Sequence, residues 1–77
     1  MNELLKAMAQ GLVEDPDSVV VSSDPENEEG IIVYHLHVAE GDMGRVIGKQ
    51  GRIAKAIRTV MRAAANRRDE RIMVEID

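Results

Sequence analysis

The stretch Gly44-Arg45-Val46-Ile47-Gly48-Lys49-Gln50-Gly51-Arg52 decides how the rest of this chain is read. Gly48 and Gly51 stand three positions apart around a Lys-Gln pair, with apolar residues before them and a basic amphipathic run after them. Glycine has no Cβ, so it accepts backbone conformations closed to other residues and lets a second backbone come close. A helix opening at Gly51 adds unpaired N–H groups and the positive end of its dipole. Lys49 and Arg52 add formal charge at the same point. Backbone approach, N–H donors and cations in one place suit a phosphodiester chain. A nucleotide-binding P-loop fails on spacing: Gly44 to Gly48 encloses three residues, not four, and Gln50 stands where Ser or Thr should hold magnesium.

Downstream, the run from Arg52 to about Arg67 has helical period. Ile53, Ile57, Val60 and Ala64 are expected on its inner face, flanked by Ala56 and Met61. Lys55, Arg58 and Arg62 fall on the opposite face. Asn66-Arg67-Arg68-Asp69 breaks the pattern, and Arg71 to Ile76 reads as a strand with Ile72, Val74 and Ile76 inward. Upstream of the glycines, a short helical turn spans Asp42 to Ile47. Ile31 to Val38 reads as a strand with Ile32, Tyr34, Leu36 and Val38 on one face and Ile31, Val33, His35 and His37 on the other. Asp24 to Gly30 is an acidic turn joining it to a short strand over 18–22. An amphipathic helix over 2–13 carries Leu4, Leu5, Met8 and Leu12 and ends before Pro16. The order α-β-β-α-α-β predicts one α+β domain over 1–77. The two-helix connection lets the second and third strands pair in parallel, giving a three-stranded mixed sheet with helices on one face.

Composition bounds the function classes. The 77 residues contain no cysteine, so neither disulfides nor a thiolate metal site enters. No basic leader, long apolar run or membrane-length segment is present, and a soluble, cytoplasmic chain is expected. The net charge is −4, which by itself disfavours a polyanion ligand. The charge is segregated, however. Residues 1–42 hold ten acids against Lys6, a net −9, and residues 43–77 hold nine bases against four acids, a net +5. A polyanion responds to the local field, so the basic half suits it.

The element order, with Gly48-Lys49-Gln50-Gly51 at the junction of the two middle helices, resembles the KH domain in its prokaryotic, type II topology. The resemblance covers essentially the whole chain, and Ile47-Gly48-Lys49-Gln50-Gly51 matches the Ile-Gly-x-x-Gly signature. As a whole the chain is similar to the small stand-alone bacterial KH proteins of the KhpA (YlqC-like) family. That resemblance implies binding of single-stranded RNA, with single-stranded DNA as a second ligand of the same kind, and a role as RNA chaperone or post-transcriptional regulator. The loop would clamp the backbone of about four nucleotides. Carried over, Gly48 and Gly51 are close-approach positions, Lys49 and Gln50 face phosphate, Arg45 and Arg52 flank the backbone path, and Lys55 lies one turn beyond. Ile47 is expected to anchor the loop to the core. Whether Arg58, Arg62, Arg67 and Arg68 meet RNA is left open.

The other residues carry blander readings. Tyr34 is the single aromatic, which argues against a stacking platform. His35 and His37 share a strand face but have no clear third ligand, so half-exposed sheet histidines are expected, with no metal and no cofactor. No nucleophile–base pair or paired carboxylates point to an enzyme. The alternative to an RNA-binding module is a KH-fold protein-interaction domain whose main role is pairing with another RNA-binding protein. A homodimer, or a heterodimer with another KH protein, is expected, through Ile31, Val33 and Met73 on the sheet or Ala63 and Ala65 on the long helix.

Overall fold

A computed structural model describes residues 1–77. The elements are α1 (Asn2–Gln10), β1 (Val20–Ser23), β2 (Ile31–His37), α2 (Met43–Ile47), α3 (Arg52–Arg67) and β3 (Arg71–Ile76). Three short 3-10 turns, Pro16–Ser18, Glu40–Asp42 and Lys49–Gly51, link them. No helix is long and apolar enough to cross a membrane.

β2 is the central strand of one three-stranded sheet. β1 pairs with it antiparallel, Val21 opposite Leu36, and β3 pairs with it parallel, Tyr34 opposite Val74. Side chains alternate across this sheet as the two-residue period requires. Tyr34, Leu36 and Val74 face the helices and are buried with Val38, while His37 and Met73 stay exposed on the other face. Leu5 and Ala9 of α1, Val46 of α2 and Ile57 and Met61 of α3 complete the core.

Two boundaries differ by more than one residue from the sequence reading, each for a local reason. α1 ends three residues early because the chain tightens at Gly11, where Leu12 N–H reaches back only to Ala9 O at 3.0 Å. Leu12 still packs against the core from this turn. β1 starts two residues late because Asp15 and Ser18 form a competing local turn. Ser18 Oγ donates to Asp15 Oδ2 at 2.6 Å, and Ser18 N–H donates to Asp15 O at 3.2 Å.

The inner face of α3 is rotated from the expected one. Ala54, Ile57, Met61 and Ala65 are buried, whereas Val60 is 45 % exposed. Small alanines let the helix axis approach the sheet closely, and the larger Ile53 and Val60 are displaced to the flank that faces α1. Leu4 on α1 is likewise half exposed.

Candidate nucleic-acid interface

The glycine loop owes its shape to three departures from ordinary helical backbone within four residues. Gly48 ends α2 at φ 75°, ψ 173°, a region essentially reserved for glycine. Its N–H still closes the helix on Gly44 O at 2.9 Å. Gln50 follows at φ 58° and Gly51 at φ 74°, both left-handed, before α3 begins at Arg52. Gly51 N–H donates to Gly48 O at 3.2 Å and holds the loop shut.

The two glycines do different work. A Cβ at Gly48 would press into Ile53 Cγ1 and lie 2.8 Å from Ile53 Cβ and 3.0 Å from Ile53 N. Gly48 therefore seals the loop onto the first turn of α3. A Cβ at Gly51 would meet nothing within 4 Å. Gly51 thus leaves open space beside the start of a sixteen-residue helix, whose first N–H groups lack intrahelical partners. The buried anchors of this corner are Val46, fully buried, and partly buried Ile53. Ile47, expected to anchor, is 37 % exposed.

Lys49, Gln50, Arg52 and Lys55 are exposed, and none of the ion pairs of the fold uses Lys49, Arg52 or Lys55. The structure therefore brings Gly48, Lys49, Gln50, Gly51, Arg52 and Lys55 together as one accessible cationic corner. Arg45 is adjacent but engaged. Its Nη2 donates to Glu14 Oε1 at 2.6 Å and its Nε faces Asp42 Oδ1 at 3.3 Å. Arg58 is also engaged: its Nε donates to Val74 O at 3.2 Å, which fastens α3 to the outer edge of β3. Arg68 lies 3.9 Å from Glu70, while Arg62 and Arg67 are exposed.

Asp42 is the residue that sequence reasoning missed. It is only 4 % exposed, and its carboxylate accepts the N–H of Glu14 and the N–H of Asp15, both at 3.1 Å. It thereby ties the α1–β1 connection to the start of α2. Its partners lie 27 and 28 positions away, so no local pattern marks it. Tyr34 is buried, and burial chiefly, with Glu70 nearby, raises its phenol above the usual value. Its ring is unavailable to stack on a base.

The histidines belong to the opposite sheet face. His35 Nε2 is 3.0 Å from Asp24 Oδ2 and its Nδ1 is 3.4 Å from Glu75 Oε2. The hydrogen bond to Asp24, then the nearby charges of Asp24, Glu75 and Asp77, raise its pKa above the ordinary 6.5. His37 Nδ1 lies 3.8 Å from Asp77 Oδ1.

A βααβ unit with its glycine loop between the helices, preceded by a helix and an antiparallel strand, is the architecture of a KH domain. The family model described as "KhpA/KhpB, KH domain" matches residues 2–76, and the chain belongs to that family. It is 55 % identical over 76 residues to a Clostridium acetobutylicum protein named RNA-binding protein KhpA, covering 99 % of each chain. Its identity to the Listeria monocytogenes protein of that name is 47 % over 76 residues, 99 % of this chain and 97 % of the relative. Among solved structures, Aquifex aeolicus Era bound to GDP and aluminium fluoride superposes with a TM-score of 0.66 at 20 % identity, over 97 % of this chain and 28 % of Era. Another Era structure, solved with MgGDPNP and a segment of 16S ribosomal RNA, gives a TM-score of 0.62 at 20 % identity, again over 97 % of this chain and 28 % of Era. At that identity the likeness is one of fold.

Proposed function

We propose that this protein is a non-catalytic, single-stranded RNA-binding module that clamps the nucleic-acid backbone with Gly48-Lys49-Gln50-Gly51 and acts in the cytoplasm as an RNA chaperone or post-transcriptional regulator. The observation that carries this reading is the open side of Gly51, beside the start of α3 and flanked by unpaired Lys49, Arg52 and Lys55. Backbone N–H groups, a helix dipole and cations there converge on space that a phosphate fills. Relatives carrying the name RNA-binding protein at 47–55 % identity support it. One loop neutralises few phosphates, so binding is weak and its salt dependence shallow, with a slope of about −0.7 per phosphate. Single-stranded DNA binds by the same backbone contacts.

The test replaces Lys49 and Gln50 together with Asp. Both glycines remain, and Asp tolerates the left-handed conformation of position 50 better than most residues. Filter binding to mixed-sequence single-stranded RNA is expected to lose at least tenfold in affinity, with circular dichroism unchanged. A folded double variant that binds RNA like the parent refutes the reading.

A specific surface favours pairing with a second KH chain, the same or another. Met8 and Leu12 of the α1 region and Ile53, Ala56, Ile57 and Val60 of α3 line an open groove of about 260 Å³ with no polar residue among them. Of the alanines expected at an interface on α3, Ala65 is only 2 % exposed, while Ala63 stays exposed. Two loops on one RNA then act through effective concentration. Light scattering over a concentration series is expected to show a dimer that Val60→Glu converts to monomer. A monomer at every concentration, with no complex formed with other KH chains, removes the pairing.

A further inference from the structure

We propose that the Glu14 carboxylate is an intramolecular competitor for Arg45, occupying the guanidinium edge that a phosphate of bound RNA takes. The inference rests on the loop being the RNA site, and it concerns how that site is regulated.

The geometry divides the Arg45 guanidinium between two acids of different kinds. Asp42 is buried, holds two backbone N–H groups and faces Nε, so it fixes the base of the fork. Glu14 is its opposite. Its side chain is 76 % exposed, and its one polar partner is Arg45, whose Nη2 donates to it at 2.6 Å. Its backbone is held by Asp42 through the Glu14 N–H, so the fold delivers this carboxylate to Arg45 without needing it for stability.

Arg45 itself stands one helical turn before Gly48 and is half exposed. Carboxylate and phosphate oxygens accept from the same planar N–H fork. An exposed carboxylate pair of this sort contributes little and is screened by salt, so a phosphate displaces it readily. Until that happens, the cation nearest the loop on the α2 side is neutralised, and a negative charge stands where RNA must pass. The acidic half of the chain thus lowers the affinity of the basic half through one contact. Asp42 keeps the guanidinium in place when Glu14 leaves.

The experiment is a double-mutant cycle on the full chain, read by filter binding of mixed-sequence single-stranded RNA across a salt series. Glu14→Gln keeps side-chain size and removes the competing charge. It is expected to tighten binding about two- to fivefold and to steepen the salt slope by about 0.7. In an Arg45→Gln background the same change is expected to do nothing, because the competition has lost its object. Asp17→Asn, which removes an exposed acid that makes no contact with Arg45, reports the general effect of one less negative charge. An equal gain in the Arg45→Gln background, or from Asp17→Asn, overturns the proposal in favour of a diffuse field. No gain from Glu14→Gln, while the Lys49/Gln50 double substitution still abolishes binding, overturns it and leaves the loop reading intact. If the loop substitution also leaves binding unchanged, both fall together.

Discussion

Gly48 and Gly51 look equivalent in sequence, but the structure predicts very unequal penalties for replacing them with alanine. At Gly51 an added methyl enters open space, and the cost is the left-handed backbone, roughly 1–2 kcal/mol. Alanine recovers roughly 0.4–1 kcal/mol of this by restricting the unfolded chain, leaving a net loss of about 1 kcal/mol. At Gly48 the φ of 75° with ψ of 173° falls where side chains are essentially excluded, costing on the order of 1–3 kcal/mol. The methyl also drives into Ile53, whose Cβ is 2.8 Å and whose backbone nitrogen is 3.0 Å away. Overpacking of that kind adds roughly 1–3 kcal/mol, since the backbone nitrogen has no rotamer by which to yield. Gly48→Ala is therefore expected to cost about 3 kcal/mol, a large share of the stability of a chain this short. By thermal unfolding the difference between the variants should be on the order of 10 °C. Ile53→Ala combined with Gly48→Ala should cost somewhat less than the sum of the two, because the truncation removes the Cγ1 contact while the Cβ and the backbone nitrogen of residue 53 remain. Equal melting temperatures for the two alanine variants would refute the assignment of Gly48 as the packed glycine and Gly51 as the open one.

Three further outcomes follow from the contacts. Asp42→Ala leaves the N–H groups of Glu14 and Asp15 without acceptors and should cost about 2–3 kcal/mol in urea unfolding, against less than about 0.5 kcal/mol for removing an uninvolved surface acid. Arg58→Ala should destabilise by about 1–2 kcal/mol through loss of the bond to Val74 O; unchanged stability would return Arg58 to the solvated face of α3. For His35 the folded pKa lies above the unfolded one, so its contribution is fully present below about pH 6.5 and is lost as pH rises through the folded value. Chemical denaturation from about pH 5.5 to about pH 8.5 should show the stability advantage over His35→Gln shrinking with pH, and a constant difference would refute the clasp to Asp24 and Glu75.

The loop was legible because the residues that shape it are contiguous, from Gly44 to Ile53. α3 and β3 were legible to the residue because sixteen and six positions of unbroken pattern leave no competing register. The inward face of α3 was not. Ile53/Ile57/Val60/Ala64 and Ala54/Ile57/Met61/Ala65 are both helical stripes, and bulk favours the first. Only the sheet below decides, since close approach selects the alanines and sends Val60 to the flank. The engagement of Arg45 was equally hidden, because Glu14 lies 31 positions away and reaches it only once Asp42 has tied the two segments together.

The charge segregation along the sequence also changes meaning in three dimensions. Two of the nine bases in residues 43–77, Arg45 and Arg68, are paired with acids, and Arg58 is turned toward a strand edge. Six bases stay exposed and unpaired: Lys49, Arg52 and Lys55 beside the open glycine, and Arg62, Arg67 and Arg71 toward the other end of α3 and the start of β3. With a net charge of −4 and three of those cations at the loop, the chain as a whole gains little from long-range attraction to a polyanion. On the proposed reading, its selectivity for flexible single strands comes from contact instead. A phosphodiester chain must come up against bare backbone at Gly51, and single-stranded RNA bends to do so more easily than a stiff duplex. On the same reading, affinity comes from presenting the loop more than once to the same strand, which gives the apolar groove between α1 and α3, joined to the loop through Ile53, a part in the chemistry of the site.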